Sequence, residues 1–260
     1  MTRRALVTGG AKRLGRAMAL ALAEDGYDLA VHYSSSAGAA DEVVGLIEDM
    51  GRRATALEAN LLDEAETAPL IGRAAEALGG PIHVLVNNAS IFEHDDLTSA
   101  TRASWDRALE SNLRAPVVLA QALAAQMPPA EPDENGEPLA QGMVLNMIDQ
   151  RVRKLTPDFM SYTIAKMGLW AFTRTAAQGL APHIRVNGIG PGPTMQGSRQ
   201  SAQHFADQRA ATILERGASP EGIVRALRFF LAEPAVTGQI ICVDGGQHLA
   251  WRTPDVLGVE

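Results

Sequence analysis

Tyr162 and Lys166 stand four positions apart in a run, Phe159 to Leu180, that carries helical periodicity, so their side chains share one helix face. A lysine ammonium beside a phenol stabilises tyrosinate and lowers its pKa from about 10, which suits a general acid that gives up a proton near neutral pH. The alternative is a surface helix pair, because Tyr-x-x-x-Lys also arises by chance. A second group able to do chemistry is the turn Thr8-Gly9-Gly10-Ala11-Lys12-Arg13-Leu14-Gly15, which follows a short apolar run and leads into a helix. Glycines there let the backbone approach a pyrophosphate, whose charge meets free N–H groups and the positive helix end. The spacing is not G-x-G-x-x-G, so an ordinary turn competes with this reading. Lys12 and Arg13 favour the ligand, since cations in a first turn oppose the helix dipole.

An NAD-preferring protein places an acid at the end of the second strand, against the ribose 2′-hydroxyl. Here the residues are His32-Tyr33-Ser34-Ser35-Ser36. With no acid, and with three serine hydroxyls plus Arg13 to receive a 2′-phosphate, the expected cofactor is NADP(H). The serines also suit capping of the next helix. Asn60-Leu61 after the third strand and Asn88-Ala89-Ser90 after the fourth are placed to reach adenine and ribose, or to serve as turn residues.

Positioning these groups requires a sheet with its carboxyl edge lined by loops. Candidate strands are Arg4 to Thr8, Asp28 to Tyr33, Arg53 to Ala59, Ile82 to Asn87, Met143 to Ile148, Ile184 to Ile189 and Gln239 to Val243. Candidate helices are Leu14 to Asp25, Ala39 to Met50, Asp63 to Leu78, Thr101 to Gln126, Phe159 to Leu180 and Pro220 to Ala232. Asp63 and Glu66 have the form of a capping box. The alternation predicts an α/β fold with a doubly wound parallel sheet, in one domain over residues 1–260. Pro128 to Gln141, rich in proline and acids, reads as a solvated loop, and Gly190 to about Arg216 as a mobile flap over the site.

Composition narrows the partners. The 260 residues carry a formal charge of −7 and are 46% hydrophobic, which argues for a folded core and against nucleic-acid binding. One cysteine, Cys242, leaves no internal disulfide and reads as packing, and the six histidines form no metal-ligand pattern, so no metal is expected. The apolar stretch Ala17 to Ala23 is far short of the roughly 18 residues that span a bilayer, so a cytoplasmic protein without membrane contact is expected.

Thr8-Gly9 to Gly15, Asn87-Asn88-Ala89, Asn112, Tyr162-x-x-x-Lys166, Pro191-Gly192 and Val243-Asp244-Gly245-Gly246 together resemble the short-chain dehydrogenase/reductase family over nearly the whole chain. The resemblance implies a Rossmann-type sheet of seven strands, hydride transfer with NAD(P) and a homotetramer. It also implies that Asn112 holds a water in a proton relay through Lys166, and that Ile189 and Thr194 lie near the nicotinamide. The chain departs from the family at one place. Where a catalytic serine is usual, about a dozen residues before the tyrosine, stands Asp149. A carboxylate there repels the oxygen that becomes negative when a ketone takes hydride, so ketone reduction is disfavoured. An aspartate instead suits the amino and ring N–H groups of a pterin, or proton transfer through Tyr162 to a ring nitrogen. It also suits simple capping of the following loop.

The pteridine reductase branch of the family is similar in this aspartate and in Arg13, Ser90 and Phe92. By that resemblance Phe92 stacks on a flat heterocycle, while Ser90 and Arg13 hydrogen-bond cofactor and substrate together with Asp149 and Tyr162. Dihydromonapterin reductases are similar too, with a basic loop like Arg151-Val-Arg-Lys154 that receives an anionic substrate tail or is solvated surface. The expected function is NADPH-dependent reduction of a dihydropterin to the tetrahydro form. A carbonyl or 3-oxoacyl reductase and a non-enzymatic NADP(H)-binding sensor are the alternatives. The final residues from Trp251 to Val256 are expected to fray or to reach a neighbouring subunit.

Overall fold

Successive residues of the central strands are apolar on both faces, and the structure shows why: helices cover the sheet on each side. In the computed structural model, which describes residues 2–197 and 200–252, β1 (Arg4–Val7), β2 (Asp28–Tyr33) and β4 (Val84–Asn87) alternate between two cores. Ala5, Val7, Leu29, Val31, Val84 and Val86 enter one, with Met18 and Leu22 of α1 (Arg13–Glu24) and Phe230 of α9 (Pro220–Ala232). Leu6, Ala30 and Leu85 enter the other, with Leu70, Ile71 and Leu78 of α4 (Leu70–Leu78) and Leu119 of α6 (Ala115–Gln126).

With β3 (Ala54–Glu58), β7 (Gly142–Met147), β8 (Ile184–Pro191) and β9 (Ile240–Val243), the sheet has seven strands in the order β3-β2-β1-β4-β7-β8-β9, all parallel. This is the expected Rossmann-type α/β architecture. The order reverses at β1, which pairs with both β2 and β4, and the carboxyl ends of these strands form the crevice where an open α/β sheet binds its ligand.

Four elements differ from the sequence expectation. The helix expected over Asp63 to Leu78 is two, α3 (Glu64–Thr67) and α4, because Pro69 lacks the N–H that would continue the first. Asp63 caps α3 through the Ala65 N–H, but Glu66 accepts from the Asn60 N–H, so the capping box is incomplete. The segment Thr101 to Gln126 is α5 (Arg102–Leu109) and α6 joined by a π turn, Glu110–Arg114. The acidic loop contains a small antiparallel hairpin, β5 (Glu131–Pro132) with β6 (Pro138–Leu139), closed by Asp133 accepting from the Asn135 and Glu137 N–H groups. The flap after β8 contains α8 (Ala202–Ala210), started by Ser201 accepting from the His204 N–H. Ser198 and Arg199 of that flap, and residues 253–256 of the expected tail, lie outside the described residues. Among the described residues no helix is long and apolar enough to cross a membrane.

Candidate active site

The first wall of the site is the turn after β1. Gly9 has φ +61, a left-handed conformation that glycine takes without strain. Asn88 fastens it by donating from Nδ2 to the carbonyls of Thr8 at 2.9 Å and Gly9 at 3.2 Å, and the Thr8 hydroxyl accepts from the Asn88 and Ala89 N–H groups. A Cβ on Gly15 would stand 2.1 Å from the Gly9 carbonyl oxygen, so the start of α1 lies directly on the turn. No side chain caps α1 and no acid occupies its first turn.

Several residues expected to touch the cofactor have other work in this structure. His32 is only 2% exposed; its Nδ1 accepts from the Gly9 N–H and its Nε2–H donates to the Ala59 carbonyl, both at 3.0 Å. Because an N–H can only donate, this fixes the neutral tautomer, and burial, with the nearby Arg73 charge, holds the imidazole pKa below its ordinary value against the Ala59 hydrogen bond. Asn60 accepts from the Leu62 N–H in a local turn, Leu61 is buried in the second core, and Leu14 packs against the first. Arg13, at φ +52, donates to the carbonyls of Met195 and Gln196, so its guanidinium clasps the flap rather than standing open at the turn. Lys12, Ser34 and Ser35 are exposed, Tyr33 and Ser36 are partly so, and Ser36 stands at the start of α2 (Ala37–Asp49) without capping it through its side chain. The serine hydroxyl is therefore not consumed by the helix, which was the competing reading.

The other wall belongs to β7, β8 and α7 (Met160–Leu180). Asp149 follows β7; its Oδ1 accepts from the Arg151 N–H, capping a short turn, while its Oδ2 accepts from the Tyr162 hydroxyl, each at 2.8 Å. Burial raises the Asp149 pKa, opposed by the Arg151 N–H, the Tyr162 hydrogen bond and the charges of Arg151 and Lys166. Burial, then the charge and hydrogen bond of Asp149, push Tyr162 well above 10, while Arg151 and Ser90 pull the other way. The expectation that Lys166 lowers the tyrosine pKa is thus corrected: the lysine, 2% exposed, donates to the Met147 carbonyl at 2.7 Å, and burial brings its own pKa down to about 8.

Asn112 sits in the π turn, where it donates to the carbonyls of Ile91 and Ala108 and accepts the Ser90 hydroxyl at 2.6 Å. Its side chain thereby holds the loop after β4. Phe92, 42% exposed, stacks on Phe159 with ring centroids 4.1 Å apart and 5° between planes, and meets Tyr162 edge-on at 4.7 Å. The Arg151 guanidinium lies 5.0 Å over Phe159 and 5.9 Å over Phe92. One face of Phe92 is therefore covered by a residue that sequence reasoning used only to start a helix. At the base of the flap, Gly192 donates to the Val243 carbonyl, Thr194 donates to the Gly192 carbonyl, Pro191 ends β8 and Ile189 is fully buried.

A family model described as enoyl-(acyl carrier protein) reductase matches residues 9–248, and 3-oxoacyl-[acyl-carrier-protein] reductase FabG of Staphylococcus epidermidis is 31% identical over 256 residues, covering 96% of this chain and 100% of its own. The chain belongs to the short-chain dehydrogenase/reductase family. FolM alternative dihydrofolate reductase 1 from Brucella suis, crystallised in complex with NADP, superposes on this short-chain reductase with a TM-score of 0.90 and 41% identity, over 98% of both chains. A short chain dehydrogenase from Burkholderia cenocepacia in complex with NADP superposes with a TM-score of 0.82 and 32% identity, over 94% of this chain and 97% of the other.

The residues present fit a dinucleotide. The uncapped start of α1, the close Gly9–Gly15 approach and the exposed serines after β2 leave backbone donors and hydroxyls for phosphates, and nothing acidic opposes a 2′-phosphate there. Sequence reasoning missed Phe159 and Asp95. Phe159 had a signal, standing three residues before Tyr162 and so one helical turn away. Asp95 had none, because Ser161, which it bonds through both carboxylate oxygens, lies 66 positions downstream.

Proposed function

We propose that this short-chain reductase takes a dihydropterin to the tetrahydro form with NADPH. The observation that carries the reading is Asp149 joined to Tyr162 at 2.8 Å where the family's ketone reductases place a serine. A buried carboxyl at that point opposes a developing alkoxide but matches a heterocycle edge rich in N–H donors. The likeness to an alternative dihydrofolate reductase supports the same reading. Bound NADPH supplies the hydride to the carbon of a ring C=N. The Tyr162 hydroxyl, drawing on the proton it shares with Asp149, delivers H⁺ to the nitrogen, so that one C–H and one N–H bond form as the double bond is reduced. Lys166 holds its place beneath the tyrosine through Met147, Asn112 fixes Ser90, and Phe92 offers an aromatic wall to a flat ring. Lys12 and Ser34 to Ser36 bind the cofactor's phosphates, while Arg13 holds the flap against the same turn. The reading includes one domain over 1–260, a cytoplasmic setting and a homotetramer.

The second reading, a 3-oxoacyl reductase, is favoured by the FabG relatives. Oxidation of NADPH is followed with dihydrobiopterin, dihydromonapterin, dihydrofolate and a 3-oxoacyl thioester. Turnover of a dihydropterin is expected, and turnover of the thioester alone overturns the proposal. Asp149→Ser separates the two again: a pterin reductase loses rate, on the order of a hundredfold for a lost proton-transfer partner, whereas a ketone reductase gains it.

A further inference from the structure

Phe159 has φ +58 and ψ +47, a conformation that a bulky residue adopts only when its surroundings impose it. It immediately precedes α7 and provides no side-chain cap, so the first N–H groups of that helix need partners from elsewhere. Asp95 provides them. Its backbone carbonyl accepts from the Met160 N–H at 3.1 Å and its Oδ1 from the Ser161 N–H at 3.0 Å. Its Oδ2 accepts the Ser161 hydroxyl at 2.5 Å and the Ser104 hydroxyl at 3.3 Å. The neighbouring Asp96 is used locally, accepting from Thr98 and Ser99, whereas Asp95 is 4% exposed and bonds across the fold.

Those partners belong to separate parts of the site. Ser104 lies in α5, which leads into the π turn of Asn112, and Asp95 itself stands three residues past Phe92. One buried carboxyl therefore joins the segments that carry Ser90 and Phe92, Asn112, and Tyr162 with Lys166. We propose that Asp95 is a positioning residue of this reductase, setting where α7 begins so that the Tyr162 hydroxyl lands on Asp149 and Phe159 stands parallel to Phe92. Tyr162 is in the first turn of α7, where a slip of one residue would move it by about 1.5 Å along the axis and rotate it by about 100°. The 2.8 Å bond to Asp149 does not survive such a slip.

The inference rests on Tyr162 as the acid, not on the pterin. The test uses Asp95→Ala, Asp95→Asn and the milder Ser161→Ala, with three readouts: single-turnover hydride transfer on whichever substrate the wild type reduces, NADP(H) binding, and tyrosinate absorbance on titration without substrate. The Tyr162 signal is isolated by subtracting Tyr162→Phe in each background. The groups facing Tyr162 are Asp149, Arg151, Ser90 and the Lys166 ammonium, 5.6 Å from its ring, and of these Asp149 holds its titration high. Asp95→Ala is expected to slow hydride transfer on the order of a hundredfold, as an ångström-scale misplacement does. Tyr162 should then titrate lower, toward an ordinary phenol, while NADP(H) affinity stays within about threefold because the glycine turn is built on other elements. Asp95→Asn keeps an acceptor for the Ser161 N–H and recovers most of the rate. If Asp95→Ala fails to fold, Ser161→Ala should show smaller shifts in the same directions. A folded Asp95→Ala or Ser161→Ala with wild-type rate and titration overturns the proposal, and so does a slowed variant whose Tyr162 titration is unmoved. Failure of the dihydropterin assay leaves the titration readout standing.

Discussion

At the residue scale, the Lys166 ammonium is held by one backbone carbonyl in a buried position, and its pKa falls from the ordinary 10.5 to about 8. The loss of that charge has two consequences of opposite sign. Near and above pH 8 the neutral amine no longer offsets the charge of the buried Asp149 carboxylate that Tyr162 bonds, so proton delivery should weaken and the rate should fall on the alkaline side with an apparent pKa near 8. Lys166→Met should lower the rate on the order of 10²- to 10⁴-fold and flatten that limb. Stability moves the other way. Between about 8 and 10.5 the unfolded chain retains a proton at this lysine that the folded chain has released, so this group makes folding more favourable as pH rises through that window. Urea midpoints of wild type and Lys166→Met over the same pH range check the sign, with the wild type gaining on the variant as pH increases. Spacing put Tyr162 and Lys166 on one helix face but left a surface pair open, and neither their burial nor the direction of the tyrosine shift was legible from it. Spacing reports proximity, whereas the shift is set by burial and by Asp149, which folding brings within hydrogen-bond reach.

At the element scale, the strands were legible because each is a short apolar run, and the glycine turn because its spacing follows one of them. The interruptions inside helices were less so: Pro69 marks the α3–α4 break, but nothing local in Glu110–Arg114 announces a π turn. His32 shows the same limit. Its place at the end of β2 suggested the cofactor, yet its ring ties together the ends of three strands, with Gly9 after β1 on one nitrogen and Ala59 after β3 on the other. His32→Leu leaves that N–H and that carbonyl without partners, at about 1–3 kcal/mol each, and should weaken NADP(H) binding by tenfold or more. His32→Gln offers one acceptor and one donor and should recover most of the affinity in an equilibrium titration. The pH dependence has a fixed sign. The folded imidazole pKa is below the ordinary 6.5, so as pH falls through that value the unfolded chain takes up a proton first and the contribution of this residue to stability is lost. The His32→Gln variant should lack that component of acid sensitivity.

At the scale of the whole molecule, a chain with a formal charge of −7 is proposed to bind an anionic cofactor, which it can do only by concentrating donors at one edge of the sheet. The parallel order β3-β2-β1-β4-β7-β8-β9 brings that edge together, while the cores that hold the sheet lie beneath it on both faces. Site and core are therefore separable by mutation. Phe230 on α9 is fully buried with Met18 and Leu22, and its side chain belongs to the core rather than to the Tyr162–Asp149 edge. Phe230→Ala should cost about 3–5 kcal/mol through lost burial and the cavity left behind. The rate per folded molecule should stay near wild type, because the carboxyl ends of β1, β4 and β7 keep their packing. NADP(H) at about a hundred times its Kd should return about 2.7 kcal/mol to wild type and variant alike, since a ligand that binds only the folded state stabilises both by the same mass-action term. Denaturant unfolding with and without the cofactor measures this. Equal increments are expected if the cofactor edge is intact in the variant, and a smaller increment in Phe230→Ala would show that α9 packing reaches the site after all.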